Sequence, residues 1–147
     1  MSGIVFIEQQ IIDAVRKLLA GKTNEKLNNW NFFFPLIEFP ACSGPNAITP
    51  VLSLSSCEQT EKERIIRQSA YAMAISFSVP ETPDSELSCH AYANAFGIAL
   101  GEDAALGGIA NKAAITGMKY IPPKKPNCGM DYELIISLRI TVEQMRK

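Results

Sequence analysis

The stretch from Ala70 to Val79, AYAMAISFSV, alternates large and small side chains without a break. Tyr71, Met73, Ile75, Phe77 and Val79 occupy the odd positions; Ala70, Ala72, Ala74, Ser76 and Ser78 occupy the even ones. A two-residue period belongs to a β-strand, whose successive side chains leave on opposite faces. The large apolar face has to be covered. The small face permits close approach by something else, a helix or a neighbouring subunit, so Ala70, Ala72 and Ala74 are candidate contacts. A second such strand lies in YELIISLRITVE, where Tyr132, Leu134, Ile136, Leu138, Ile140 and Val142 alternate with mostly polar residues. A half-buried antiparallel strand produces that pattern.

The cover comes from two helical patterns. Near the start, Ile4, Ile7, Ile11, Val15 and Leu18 share one helical face, and Gly21 stands where a helix commonly stops. The second pattern is PDSELSCHAYANAFGIALG, with Asp84 or Ser85 as N-cap and Glu86 in the first turn. Its expected apolar stripe is Leu87, Ala91, Ala95 and Ile98, widened by Tyr92 and Ala99. Phe32–Phe34, Leu36, Ile37 and Phe39 read as an edge strand, VLSLS as a short strand, and Ala113 to Ile121 as another. The charged run from Glu58 to Arg67 reads as a solvated strand end or hairpin. The expected fold is α+β: a mostly antiparallel sheet of about four to five strands with two main helices packed on it. No repeat or linker divides the 147 residues, so one domain spanning 1–147 is expected.

Composition narrows the function. A chain of this length buries roughly 70% of its extended surface, enough for a core without metal or disulfide staples. The net charge is −1, with seven basic residues in each half against seven and eight acids. Such a balance offers no field for non-specific nucleic-acid binding. The opening segment lacks a basic leader, and Glu8, Gln9, Gln10 and Asp13 interrupt its apolar residues, so it reads as a helix of the mature protein and not a signal peptide. No run is long and apolar enough to span a bilayer, and a cytoplasmic site of synthesis is expected.

Chemistry-bearing motifs are sparse. Cys42, Cys57, Cys89 and Cys128 have no close pairing, and read as reduced thiols and not as ligands completed by His90. Gly107-Gly108 follows a helix and precedes a strand. A dinucleotide fingerprint requires the reverse order, so the pair reads as a turn with backbone freedom. His90, the only histidine, falls on a wet side of its helix with Glu86 and Asn94 and has no nucleophile motif beside it. Lys112, Lys119, Lys124 and Lys125 form a locally basic region, suited to steering contact with an acidic surface. Neither a cofactor nor a metal nor an enzymatic activity is expected.

The pieces, in order, are the N-terminal amphipathic helix, PVLSLS with its acidic run, AYAMAISFSVP, a helix from about Asp84, ALGGIA, a strand ending in YIPP, and YELIISLRITVE. This arrangement resembles the tail terminator, or tail completion, proteins of long-tailed bacteriophages and their prophages. The resemblance implies a structural α+β protein that assembles as a hexameric ring on the finished tail tube. Such a ring stops polymerisation and presents the surface that joins the head. It implies as partners the protein itself, the tail-tube protein and the head–tail connector, with neither membrane nor sequence-specific nucleic acid. Under it Gly107 and Gly108 shape the turn after the second helix. Ala70, Ala72, Ala74, Lys119, Lys124 and Lys125, with the loops Ala41 to Thr49 and Pro122 to Asp131, are candidate contacts. The alternatives are a head-completion or stopper protein of the same machinery, and a small ligand-binding or enzymatic domain with a pocket near His90.

Overall fold

The strand from Ile66 to Val79 takes the expected two-faced form: Tyr71, Met73, Ile75, Phe77 and Val79 are all buried, while Ala70, Ala72, Ala74 and Ser76 are half-buried and Ser78 is exposed. These positions come from a computed structural model that describes residues 6–30, 36–37, 47–63, 66–80, 82–123 and 131–145. In chain order the elements are α1 (Ile7–Leu18), a π-helical turn (Leu19–Thr23), α2 (Asn24–Asn29), β1 (Leu36–Ile37), β2 (Ala47–Ile48), β3 (Val51–Glu63), β4 (Ile66–Val79), α3 (Ser85–Glu102), β5 (Lys112–Ile121) and β6 (Tyr132–Met145).

Four long strands form one antiparallel sheet in the order β3-β4-β6-β5. β6 inserts between β4 and β5, so α3 carries the chain from an inner strand to an edge strand running in the same direction. β1 and β2 make a separate two-residue parallel pair. The expected α+β class, with helices on an antiparallel sheet, is the fold observed. Phe32–Phe34 and Phe39 lie outside the described residues; of that expected strand, Leu36–Ile37 is described.

All the described helices serve one face. α3 lies over β4, β6 and β5, while α1 packs on β3 and α3. Between them a continuous cluster joins Ile11, Val15 and Leu19 to Phe77, Phe96, Leu134 and Ile136. Phe77 and Tyr92 stack with ring centroids 5.6 Å apart, fixing α3 on β4. Tyr71 Oη donates to a Glu8 carboxylate oxygen at 3.0 Å, tying α1 to the same strand. Burial first, and then this bond, raise the tyrosine's pKa well above its usual value.

Several local expectations fail. Gly21 does not end the first helix, which passes through the π turn and continues to Asn29. The π turn shifts the buried stripe, so that Leu18, Leu19, Thr23 and Leu27 all point inward while Gly21 stays exposed. Asn24, next after this turn, holds β1 by both main-chain groups of Ile37: its amide donates to the carbonyl at 2.8 Å and its oxygen accepts the N–H at 2.9 Å. VLSLS is the beginning of a thirteen-residue strand whose later half is the acidic run. Asp84 occupies the N-cap of α3 without a side-chain cap; Ser85 Oγ donates instead to the Thr82 carbonyl at 3.0 Å. On α3, Leu87 and Ile98 are exposed, at 42% and 46%, because Phe96, Tyr92 and Cys89 take the inward positions.

Candidate interaction surface

The face of the sheet opposite the helices is built by cross-strand rows. Glu58, Ala70, Thr141 and Lys112 form one row across β3, β4, β6 and β5; Ser56, Ala72, Arg139 and Ala114 form the next. Further along come Ser53, Ala74, Ser137 and Gly117, then Val51, Ser76, Ile135 and Lys119. The centre is floored by alanine and serine, Arg139 rises from it exposed, and Val51 stands 65% exposed at one corner. The structure thus gathers Ala70, Ala72, Ala74 and Lys119 onto one surface, with the lysine on the edge strand. Lys124, Lys125 and residues 41–46 of the expected contact loop lie outside the described residues.

Both edge strands carry a bulge bridged by a hydroxyl. Ser55 Oγ donates to the Ala72 carbonyl at 3.3 Å, and Thr116 Oγ1 donates to the Ser137 carbonyl at 3.2 Å. Each bulge resets which residues face outward beyond it, since an extra residue reverses the alternation.

Gly107 and Gly108 sit in a compact turn at 104–109, with φ of +70° and +94°. These left-handed values are the ones glycine adopts without a Cβ penalty, in keeping with a structural turn. Leu106 shares the left-handed region at φ 51° and is held there by burial of its side chain. Asp103 closes the turn, its two carboxylate oxygens accepting the Gly107 N–H at 3.0 and 3.1 Å. The Ala104 carbonyl then accepts the Ala113 N–H at 2.7 Å and so occupies one hydrogen-bonding position on the outer edge of β5. Sequence reasoning found the glycines but missed Asp103, although an aspartate four residues before such a pair is the available signal.

An open cleft of about 700 Å³ lies between this turn and α1, lined among others by Asp13, Lys17, Leu18, Lys22, Leu106 and Ile109. It is remote from His90, which is exposed on α3 with its ring edge-on to Tyr120 of β5 at 5.2 Å. Cys57 is exposed and Cys89 buried, both as free thiols; burial, then the charge of Glu86, pushes Cys89 up to about 11. Lys26 and Glu102 pair at 2.9 Å and lock α2 to the end of α3; their hydrogen bond holds the ammonium above its usual pKa and the carboxyl below it. Among the described residues no three His, Cys, Asp or Glu side chains gather as a metal site, and no helix is long and apolar enough to cross a membrane.

The chain matches no protein-family model and no curated protein.

Proposed function

We propose that the protein is a structural component of phage or prophage tail assembly, acting as a tail terminator: a ring of copies that caps the tail tube, halts its growth and offers the head-joining surface. The observation that carries this reading is the division of the sheet into a face sealed by helices and a face of alanines and serines bounded by two edge strands. A broad, shallow, small-residue surface suits contact with other folded subunits, where main chains approach closely. The long elements, α1, the β3–β4 hairpin, α3, β5 and β6, follow the order of the sequence pieces on which the resemblance rests.

The cap works by geometry. A ring of copies replaces the tube-end surface that recruits the next tube subunit, and its far side meets the connector. Contacts with the tube and connector are assigned to the open face and its flanking loops, and no bond is made or broken.

Electron microscopy of particles from a phage or prophage lacking this gene tests the reading. Overlong or unjoined tails beside DNA-filled heads are expected. Heads that lose their DNA while tails remain of normal length would instead make the protein a head-completion part.

A further inference from the structure

We propose that copies of this chain join head to tail through the two edges of the sheet, the free half of β5 from one copy adding to β3 of the next. The proposal deepens the ring reading above by naming its self-contact, and rests on that reading only for its biological setting.

Three observations support it. First, the sheet has an even number of alternating strands, so β3 and β5 run in opposite directions. A β5 edge placed beside another copy's β3 therefore continues the antiparallel pattern without inverting either molecule. Second, the edges differ in charge. From Val51 to Thr60 β3 holds Glu58 and no base, whereas β5 holds Lys112 and Lys119 and no acid. Like edges repel and unlike edges attract, which favours a heterologous contact over a two-fold dimer. Third, the Ala104 carbonyl already takes the Ala113 N–H. That confines new main-chain pairing to the part of β5 beyond its bulge, Gly117 to Ile121, where Met118, Lys119 and Tyr120 are all exposed.

Charge then selects the register. Lys119 and Glu58 both point from the open face, since Lys119 pairs with Ile135 and Glu58 with Ala70. Setting Lys119 opposite Glu58 places Tyr120 opposite Cys57 and Met118 opposite Gln59, on the other face, so the alternation of both strands is kept. Within one sheet the Lys119 row ends at Val51 and not at Glu58. Successive copies are therefore staggered along the strands, as closure of a sheet into a barrel requires.

Residues directly opposite on paired strands lie within disulfide reach, and Cys57 already supplies one partner. In purified protein with Cys42 and Cys128 changed to serine, Tyr120→Cys is expected to give, under mild oxidation, a ladder of disulfide-linked species beyond the dimer. Adding Cys57→Ser should abolish it. Lys119→Glu or Glu58→Lys, each made in the Tyr120→Cys background, should lose the ladder, and mixing those two proteins should restore it. Circular dichroism of every variant must match the parent. A ladder that never forms at high protein concentration, that survives Cys57→Ser, or that the mixture does not restore overturns the proposal. A ladder from a protein whose loss leaves tails normal would sink the tail reading alone.

Discussion

β4 presents two surfaces from one backbone, and they differ in almost everything but their hydrogen bonds. On the helix side, Tyr71, Met73, Ile75, Phe77 and Val79 are at most 5% exposed, and packing against α1 and α3 fixes their positions. On the other side, Ala70, Ala72 and Ala74 sit half-exposed between Glu58, Ser56 and Ser53 of β3 and Thr141, Arg139 and Ser137 of β6. The first surface holds the fold together by apolar burial; the second adds little to it. Stability is thus written on the odd residues of one strand, and the surface proposed for assembly on the even ones. The contrast can be broken by substitution, and the largest effect falls on the buried side.

Phe77→Ala removes a fully buried ring and its stack on Tyr92. A loss of about 3–5 kcal/mol of unfolding free energy is expected, from transfer plus cavity terms. Its neighbour Ser78→Ala, on the open face, should shift stability by no more than about 0.5 kcal/mol. Urea unfolding midpoints at a common denaturant slope measure both. A Phe77→Ala protein as stable as Ser78→Ala would erase the distinction between the faces.

A second test uses pH, because α3 buries a titratable group over the same face. Cys89 is raised from 9.0 to about 11, burial being the larger cause. Between those values the folded state holds a proton that the unfolded chain has released. Unfolding free energy therefore stays level below pH 9 and falls as pH rises toward 11, by about 2–3 kcal/mol at most for this one group. Tyr92, raised above 10.0 by burial, acts in the same direction from pH 10 upward. Cys89→Ala should flatten the slope between pH 9 and 10, where the thiol titrates before the tyrosine. An unchanged slope would mean that the thiol is not sealed under α3.

Much of this division was legible in the sequence, and the reasons differ by element. Alternation, strict in β4 and broken only by Ile135 in β6, revealed both faces, since a period of two survives whatever packs on it. The glycine pair revealed its turn, because left-handed backbone is costly for other residues. α3 was located, but not its orientation. Small apolar residues surround most of its circumference and give no dominant stripe, so Ala91, Tyr92, Ala95 and Ala99 are placed inward correctly, whereas Leu87 and Ile98 are placed there wrongly and Cys89 and Phe96 are missed. Gly21 misled because a glycine ends a helix only when it turns left-handed, and here a π turn absorbs it. The surface was partly legible: the small face was visible, whereas the capping of β5 by Ala104 depends on a loop geometry that no local pattern encodes.

Asn24 sharpens the comparison at the rim of the helical layer. Its side chain satisfies both main-chain groups of Ile37, itself buried, as a neighbouring strand would. Asn24→Ala should cost about 1–3 kcal/mol, the penalty for partly buried groups left unpaired. Asn24→Asp keeps the acceptor for the Ile37 N–H but faces the carbonyl with an oxygen, so it should recover little of that loss at neutral pH. Protonating the aspartate at low pH should recover more, since the acid can again donate. Chemical denaturation across this pH range distinguishes a two-way amide contact from simple space filling.

The smallest expected effect on stability is at Ala72, and it tests the open face most directly. The methyl group there is flanked by Ser56 and Arg139 with none of the described helices above it, so a longer polar side chain can rise into solvent without displacing the described packing. Ala72→Gln should unfold within about 0.5 kcal/mol of the parent. Met73→Gln, one residue along, places an amide at a position only 2% exposed and should be severely destabilised. Under the proposed tail reading the order reverses in assembly: Ala72→Gln should fold normally yet fail to cap tails, because its side chain would fill the space assigned to a partner. Should Ala72→Gln instead unfold as readily as Met73→Gln, the small residues are already covered by this chain's own segments. The strand would then have two interior faces, and the surface assigned to partners would have to be sought on the edges alone.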